Sequence, residues 1–150
     1  MPAADAAEIL GVIARYAHVI DNRDWEHLGS VFTPEFGFGA SLDALASGDD
    51  FARLIESVRP YHPHYSTDTV LHRAGADPDT VRAWTKFLLV RSDGSVASGD
   101  YIDTLVRTPA GWRIRTRLFS RGNRPDSDPA GPSERSFGLA TWLDQAYDPA

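Results

Sequence analysis

The chain has 150 residues, 42% hydrophobic and 24% charged, which is enough for one buried core and a pocket but short for two domains. Its formal net charge is −6, from 21 acidic against 15 scattered basic residues, so the cationic footprint of a nucleic-acid binder is missing and no nucleic-acid partner is expected. The lack of cysteine excludes disulfide scaffolds, thiolate nucleophiles and thiolate metal sites.

From Ala3 to Asp21 the apolar residues Ile9, Leu10, Ile13, Ala14, Ala17 and Ile20 recur at three- and four-residue steps, which predicts an amphipathic helix. No basic-then-apolar pattern precedes it, and no apolar run approaches the roughly 20 residues of a membrane span. A cytoplasmic protein with no membrane partner is expected. A second short helix is predicted from about Asp24 to Thr33, with Trp25, Leu28, Val31 and Phe32 at helical spacing and Pro34 ending it. Glu35 to Ala40 reads as a short strand. Asp49 to Val58 reads as a third helix, with Phe51, Leu54, Ile55 and Val58 on one face and Pro60 closing it.

The hydrophobic period then falls from 3.6 to 2. Strands are predicted at about His64–His72, Thr80–Val90, Ser95–Thr108 and Gly111–Arg121, separated by short turns rich in Gly, Pro and Asp. Such turns join antiparallel neighbours, so a meander follows the helices. This order predicts an α+β domain with helices packed on one face of a curved antiparallel sheet. A single domain over 1–150 is expected, with its core at about 5–121. The segment 122–136, with Pro125, Pro129 and Pro132, reads as irregular surface chain. Leu139, Trp142, Leu143, Ala146 and Tyr147 predict a terminal helix at about 137–147, either packed on the sheet or a neighbour or acting as a lid. Trp84, Leu88 and Val90 alternate on a sheet face that needs covering, which predicts a homodimer or homotrimer.

Few residues offer chemistry. Asp21 lies close to the Leu10–Ala14–Ala17 stripe, so its carboxylate is expected to point inward, although the position also suits a cap for the next helix. His64 opens the first long strand, and imidazole is the side chain best matched to proton transfer near neutral pH. An Asp and a His placed together trade a proton in that range. His62 and His64 also have the look of a metal pair, but no carboxylate stands at a fixed spacing from them, so no metal is expected. In the third long strand Tyr101, Asp103 and Leu105 share a face. In the last, Arg113, Arg115, Arg117, Phe119 and Arg121 alternate with Trp112, Ile114, Thr116, Leu118 and Ser120. Asp103 and one of these arginines are candidates for a cross-strand ion pair that orients a substrate carbonyl or carboxylate. Serine-nucleophile, phosphate-loop and dinucleotide motifs are absent.

The run Ile13-Ala14-Arg15-Tyr16-Ala17-His18-Val19-Ile20-Asp21-Asn22-Arg23-Asp24-Trp25-Glu26-His27-Leu28, then Val31-Phe32-Thr33, resembles the opening of the SnoaL-like and scytalone-dehydratase-like proteins. These belong to the superfamily typified by nuclear transport factor two. His64-Tyr65-Ser66-Thr67-Asp68 resembles that family's histidine-led strand. Gly99-Asp100-Tyr101-Ile102-Asp103 with Gly111-Trp112-Arg113-Ile114 resembles its closing hairpin. The resemblance implies a cone-shaped sheet with the helices over its concave face and an enclosed pocket. It also implies that Asp21 and His64 are the pair used for elimination, with Tyr16 beside them. Where scytalone dehydratase has a second tyrosine on its first strand, this chain has Phe38, Gly39 and Ala40.

The function expected is a lyase without a cofactor, a dehydratase acting on a hydrophobic cyclic substrate of polyketide, steroid or terpenoid type. Asp21, His64 and Tyr16 are its expected catalytic residues. Phe38, Phe51, Trp84, Asp103, Arg117 and Phe119 are expected to line or orient the substrate site. The alternatives are a polyketide cyclase or ketosteroid-type isomerase on the same scaffold, or a binding module without turnover.

Overall fold

A computed structural model of the chain describes residues 1–39, 48–58, 62–73 and 75–122. The predicted tail and terminal helix lie outside them. The order is α1 (Ala3–Asp21), a 3-10 turn (Trp25–Ser30), β1 (Phe32–Gly39), α2 (Gly48–Ser57), β2 (His64–Arg73), β3 (Thr80–Val90), β4 (Val96–Thr108) and β5 (Gly111–Gly122). The five strands form one sheet in the order β1-β5-β4-β3-β2.

Helix α1 spans the residues its periodicity predicts, but its buried face is rotated from the expected stripe. Ile9, Val12, Ile13, Tyr16, Val19 and Ile20 are buried, whereas Leu10 and Ala14 are exposed. The helix therefore presents a continuous i, i+3, i+4, i+7 row to the sheet and meets β2 and β5.

The predicted second helix is shorter and tighter than expected. It ends at Ser30, and Val31 and Phe32 turn into the sheet, where Ile114 N–H donates to Val31 O at 2.8 Å. Gly29 and the β-branched Val31 favour that early end, and the open edge of β5 supplies the partner. Pro34 accordingly lies inside β1 rather than ending a helix. It is accommodated because β1 is an edge strand whose register breaks between Phe32 and Gly37, so no ladder donor is lost.

Strands β2 to β5 form the predicted antiparallel meander. The sheet as a whole is mixed, because β1 runs parallel to β5. The chain leaves β1 at one edge and re-enters as β2 at the other.

Two register breaks decide what faces inward. On β5 the pairing steps from Thr104↔Thr116 to Leu105↔Ile114, leaving Arg115 unmatched. The step reverses the alternation, so Trp112 and Ile114 face the core before it, and Arg117 and the partly buried Phe119 face the core after it. A second break lies between Thr67 and Val70 on β2, where Asp68 has φ +52. It turns Thr69 inward to Thr85, with their hydroxyls 3.0 Å apart.

Candidate functional site

A cavity of about 460 Å³ opens between the helices and the inner face of the sheet. That volume is within the range of small-molecule sites. Its wall is mainly apolar and aromatic, with Phe38, Phe87, Leu89, Tyr101 and Phe119 from the sheet and Leu54, Ile55 and Val58 from α2 and the residue after it. Tyr16 and His64 also reach it.

Asp21 closes α1, where a carboxylate meets the negative end of the helix dipole. The start of β2 supplies what compensates it. Asp21 Oδ1 stands 2.8 Å from His64 Nδ1, and Oδ2 accepts the His64 backbone N–H at 2.9 Å. Both side chains are largely buried, at 21% and 13% exposure, so the pair is only partly screened by solvent. Two bonds to one carboxylate fix both the place and the tilt of the ring. With Asp21 accepting from Nδ1–H, the neutral imidazole carries its lone pair on Nε2.

Tyr16 lies five residues before Asp21 on the buried row of α1 and is 1% exposed. Its ring meets His64 edge-on, with centroids 5.9 Å apart, and Tyr101 at 5.6 Å. Beneath the two tyrosines lies the pair that the strand pattern anticipated. Arg117 Nε and Nη2 donate to the two oxygens of Asp103, each at 2.7 Å, between directly opposed positions of β4 and β5. Both residues are fully buried. The guanidinium carbon stands 4.1 Å from the ring centroids of both Tyr16 and Tyr101, a doubled cation–π contact.

This stack sets the protonation of its members. Burial raises the Tyr16 hydroxyl, although Arg117 and Tyr101 act the other way. Burial, reinforced by any charge on Tyr16, raises Tyr101 well above the ordinary tyrosine value. Burial disfavours the Arg117 cation, but the field and hydrogen bonds of Asp103 outweigh it and hold the charge more firmly than usual. The arrangement therefore sets a protonated phenol beside the Asp21–His64 pair, which suits hydrogen-bond donation from Tyr16.

The structure brings His64, Tyr16, Phe38 and Phe119 together at the cavity, while Asp21 stands behind the wall and meets it only through His64. It places four other predicted residues elsewhere. Phe51 is fully buried behind the wall, with its ring 4.7 Å from that of Phe38. Trp84 projects from the opposite face of β3 and donates its indole N–H to Asp100, because the alternation that sends Ala83 and Thr85 inward sends it outward. Asp103 and Arg117 act on the tyrosines and do not reach the wall. Tyr101 was missed as a site residue, although its place two residues before Asp103 put it on the same face. His62 and Arg91 were missed as lining residues, since both lie just outside strands.

Among the described residues, Asp24, Glu26 and His27 are a group with metal-ligand spacing, their ligand atoms within 4.8 Å of one another. It lies at the start of the 3-10 turn, with Asp24 just before it and Glu26 and His27 exposed.

The SnoaL-like domain family matches residues 1–118. Among solved structures, an NTF2-like protein with a cystatin-like fold from Novosphingobium aromaticivorans is 24% identical over 85% of this chain and 86% of its own, with a TM-score of 0.67. A provisionally named scytalone dehydratase from the same organism is 12% identical over 90% and 95% of the two chains, with a TM-score of 0.66. A protein from Catenulispora acidiphila is 26% identical over 79% and 92%, with a TM-score of 0.64. No curated protein matches the chain.

Proposed function

The chain belongs to the SnoaL-like domain family, and from that premise we propose that it is a cofactor-independent lyase, a dehydratase of hydrophobic cyclic substrates. Family and fold support a scaffold for small-molecule binding or for lyase and isomerase chemistry. The observation that carries the finer reading is the 2.8 Å contact between Asp21 and His64 at the wall of an apolar cavity, with a protonated tyrosine beside it.

The substrate this reading requires is a β-hydroxy ketone on a ring frame. His64 Nε2 takes the proton from the carbon next to the carbonyl, and Asp21 stabilises the imidazolium that forms. Tyr16 donates to the carbonyl oxygen while it carries the enolate charge. The enolate then reforms the carbonyl as the carbon–oxygen bond of the hydroxyl breaks. His64 returns its proton to the leaving oxygen, which departs as water, and a conjugated double bond remains. If the carbanion instead attacks a second carbonyl or is reprotonated, the same pair performs cyclisation or isomerisation, and the product distinguishes these reactions.

The test is incubation with a panel of β-hydroxy ketones on tetralin, decalin and steroid frames, followed by mass spectrometry for loss of water. Turnover by the wild type and its loss in His64→Ala is the expected result. Undiminished turnover in that variant overturns the mechanism.

A second reading has its own observation. Because Asp21 also accepts the His64 backbone N–H, the pair fastens the end of α1 to the start of β2, as a binding module would use it. Under that reading, replacing both residues by apolar ones leaves stability unchanged or higher and leaves ligand binding intact.

A further inference from the structure

The described residues that line the cavity include Arg91, His62 and His64 but no Asp or Glu. This is notable in a chain whose acidic residues exceed its basic ones by six. The imbalance is concentrated at one end. Leu89 on β3 is the register partner of His64, and Arg91 follows two residues later, roughly 7 Å further along the strand direction. Val90 N–H donates to Pro63 O at 3.4 Å, so the His62–Pro63 segment runs alongside. Arg91 and His62 therefore flank the cavity beyond His64.

Arg91 is held in place by its turn. Its backbone N–H donates to Ser95 O and its carbonyl accepts from Gly94 N–H, both at 2.9 Å. Nη1 donates to Ser95 Oγ at 3.1 Å, which uses one of five guanidinium donors and steadies the group at the mouth. His62 Nδ1 is buried with no hydrogen-bond partner among the described residues. The charge of Arg91 also acts on the Asp93 carboxyl two residues on, which the bonds from Ser95 and this charge together hold below the usual carboxylate range. A guanidinium on the same wall as an imidazole still has donors left for one planar anion, and arginine binds carboxylates through two parallel bonds. On a molecule of negative net charge, such a local cation is also what draws an anion to this opening.

We propose that the ligand of this cavity is an anionic amphiphile, a ring system held by the apolar wall with a carboxylate bound by Arg91 and flanked by His62. The proposal rests on the reading of this cavity as a substrate site and narrows the substrate to cyclic hydroxy ketones that also bear an acid group. It places the acid about one strand repeat beyond the position where His64 removes the proton.

The experiment is isothermal titration calorimetry with 2-naphthoate and with its neutral counterpart 2-acetylnaphthalene, on the wild type, Arg91→Gln and His64→Gln. Arg91 is exposed in a hairpin turn, so its variant retains the fold, as circular dichroism would verify. The expected result is a preference of about tenfold for naphthoate, the size of one charge-assisted recognition contact. The preference should vanish in Arg91→Gln and persist in His64→Gln. Equal binding of both compounds to the wild type overturns the anion claim and leaves the cavity reading intact. A preference lost only in His64→Gln also overturns it, by assigning the carboxylate to the imidazole. If neither compound binds, the cavity reading fails and the proposal fails with it.

Discussion

Asp21 stands where a helix is least tolerant of negative charge, and it is tolerated because one carboxylate accepts both the ring and the backbone N–H of His64. Replacing it with Asn keeps the shape but removes the charge that stabilises an imidazolium. Asp21→Asn is expected to lower kcat/KM by about 10²-fold or more. It should reduce stability by about 1–2 kcal/mol, read from urea unfolding. The tyrosines give a pH dependence with a definite sign. Both hydroxyls are held above the ordinary value of 10.0, chiefly by burial. Above that pH the unfolded chain has released these protons and the folded chain has not. Stability is therefore fully present below pH 10.0 and falls as the pH rises through the folded values. Urea midpoints measured over the alkaline range should fall less steeply in Tyr16→Phe/Tyr101→Phe than in the wild type.

At the scale of elements, the β4–β5 hairpin decides more of the site than any single side chain. Its register step turns Arg117 inward opposite Asp103, while Arg115 on the same strand stays exposed. A strict alternation cannot distinguish these arginines, which is why the sequence pointed to a cross-strand pair without the reason for its burial. Arg117→Met leaves the Asp103 charge without its partner in the core and is expected to cost about 3–5 kcal/mol. The double variant Asp103→Leu/Arg117→Met should recover most of that loss in thermal unfolding, since neither buried charge then remains. The turn of the same hairpin is equally exacting. Gly111 has φ +101, and a Cβ there would strike Glu8 Oε1, the atom that accepts the Trp112 N–H at 2.8 Å. Gly111→Ala is expected to destabilise by about 1–3 kcal/mol, through backbone strain and loss of that tie between α1 and the sheet.

For the whole molecule, one sheet face carries the helices and the cavity. The other exposes Tyr65, Val70, Leu88, Val90 and Val96, more apolar surface than a solvated face needs. The expectation of a homodimer or homotrimer rests on this face. Sedimentation of the wild type should give a species larger than 16.5 kDa, and Leu88→Lys should shift it toward the monomer. A wild-type monomer at high concentration removes that expectation.

The sequence by itself determined the order and kind of the main elements, because a period of 3.6 or 2 is a local property of the chain. The bounds of α1 and β3 follow from periodicity, and turn chemistry joins the meander. It also singled out Asp21, His64 and Tyr16, whose spacing on a helix and a strand start resembles a known family. Only the tertiary structure decided the rest. Whether Val31 and Phe32 belong to a helix or a strand depends on an open edge supplied by β5, more than 80 residues away in the Val31–Ile114 bond. Which face of β5 is inside depends on a one-residue step set by its partner strand. Which aromatic residues reach the cavity follows from that step and from the rotation of α1. Strand pairing and helix rotation minimise the free energy of the packed whole, and no window of the sequence encodes them locally.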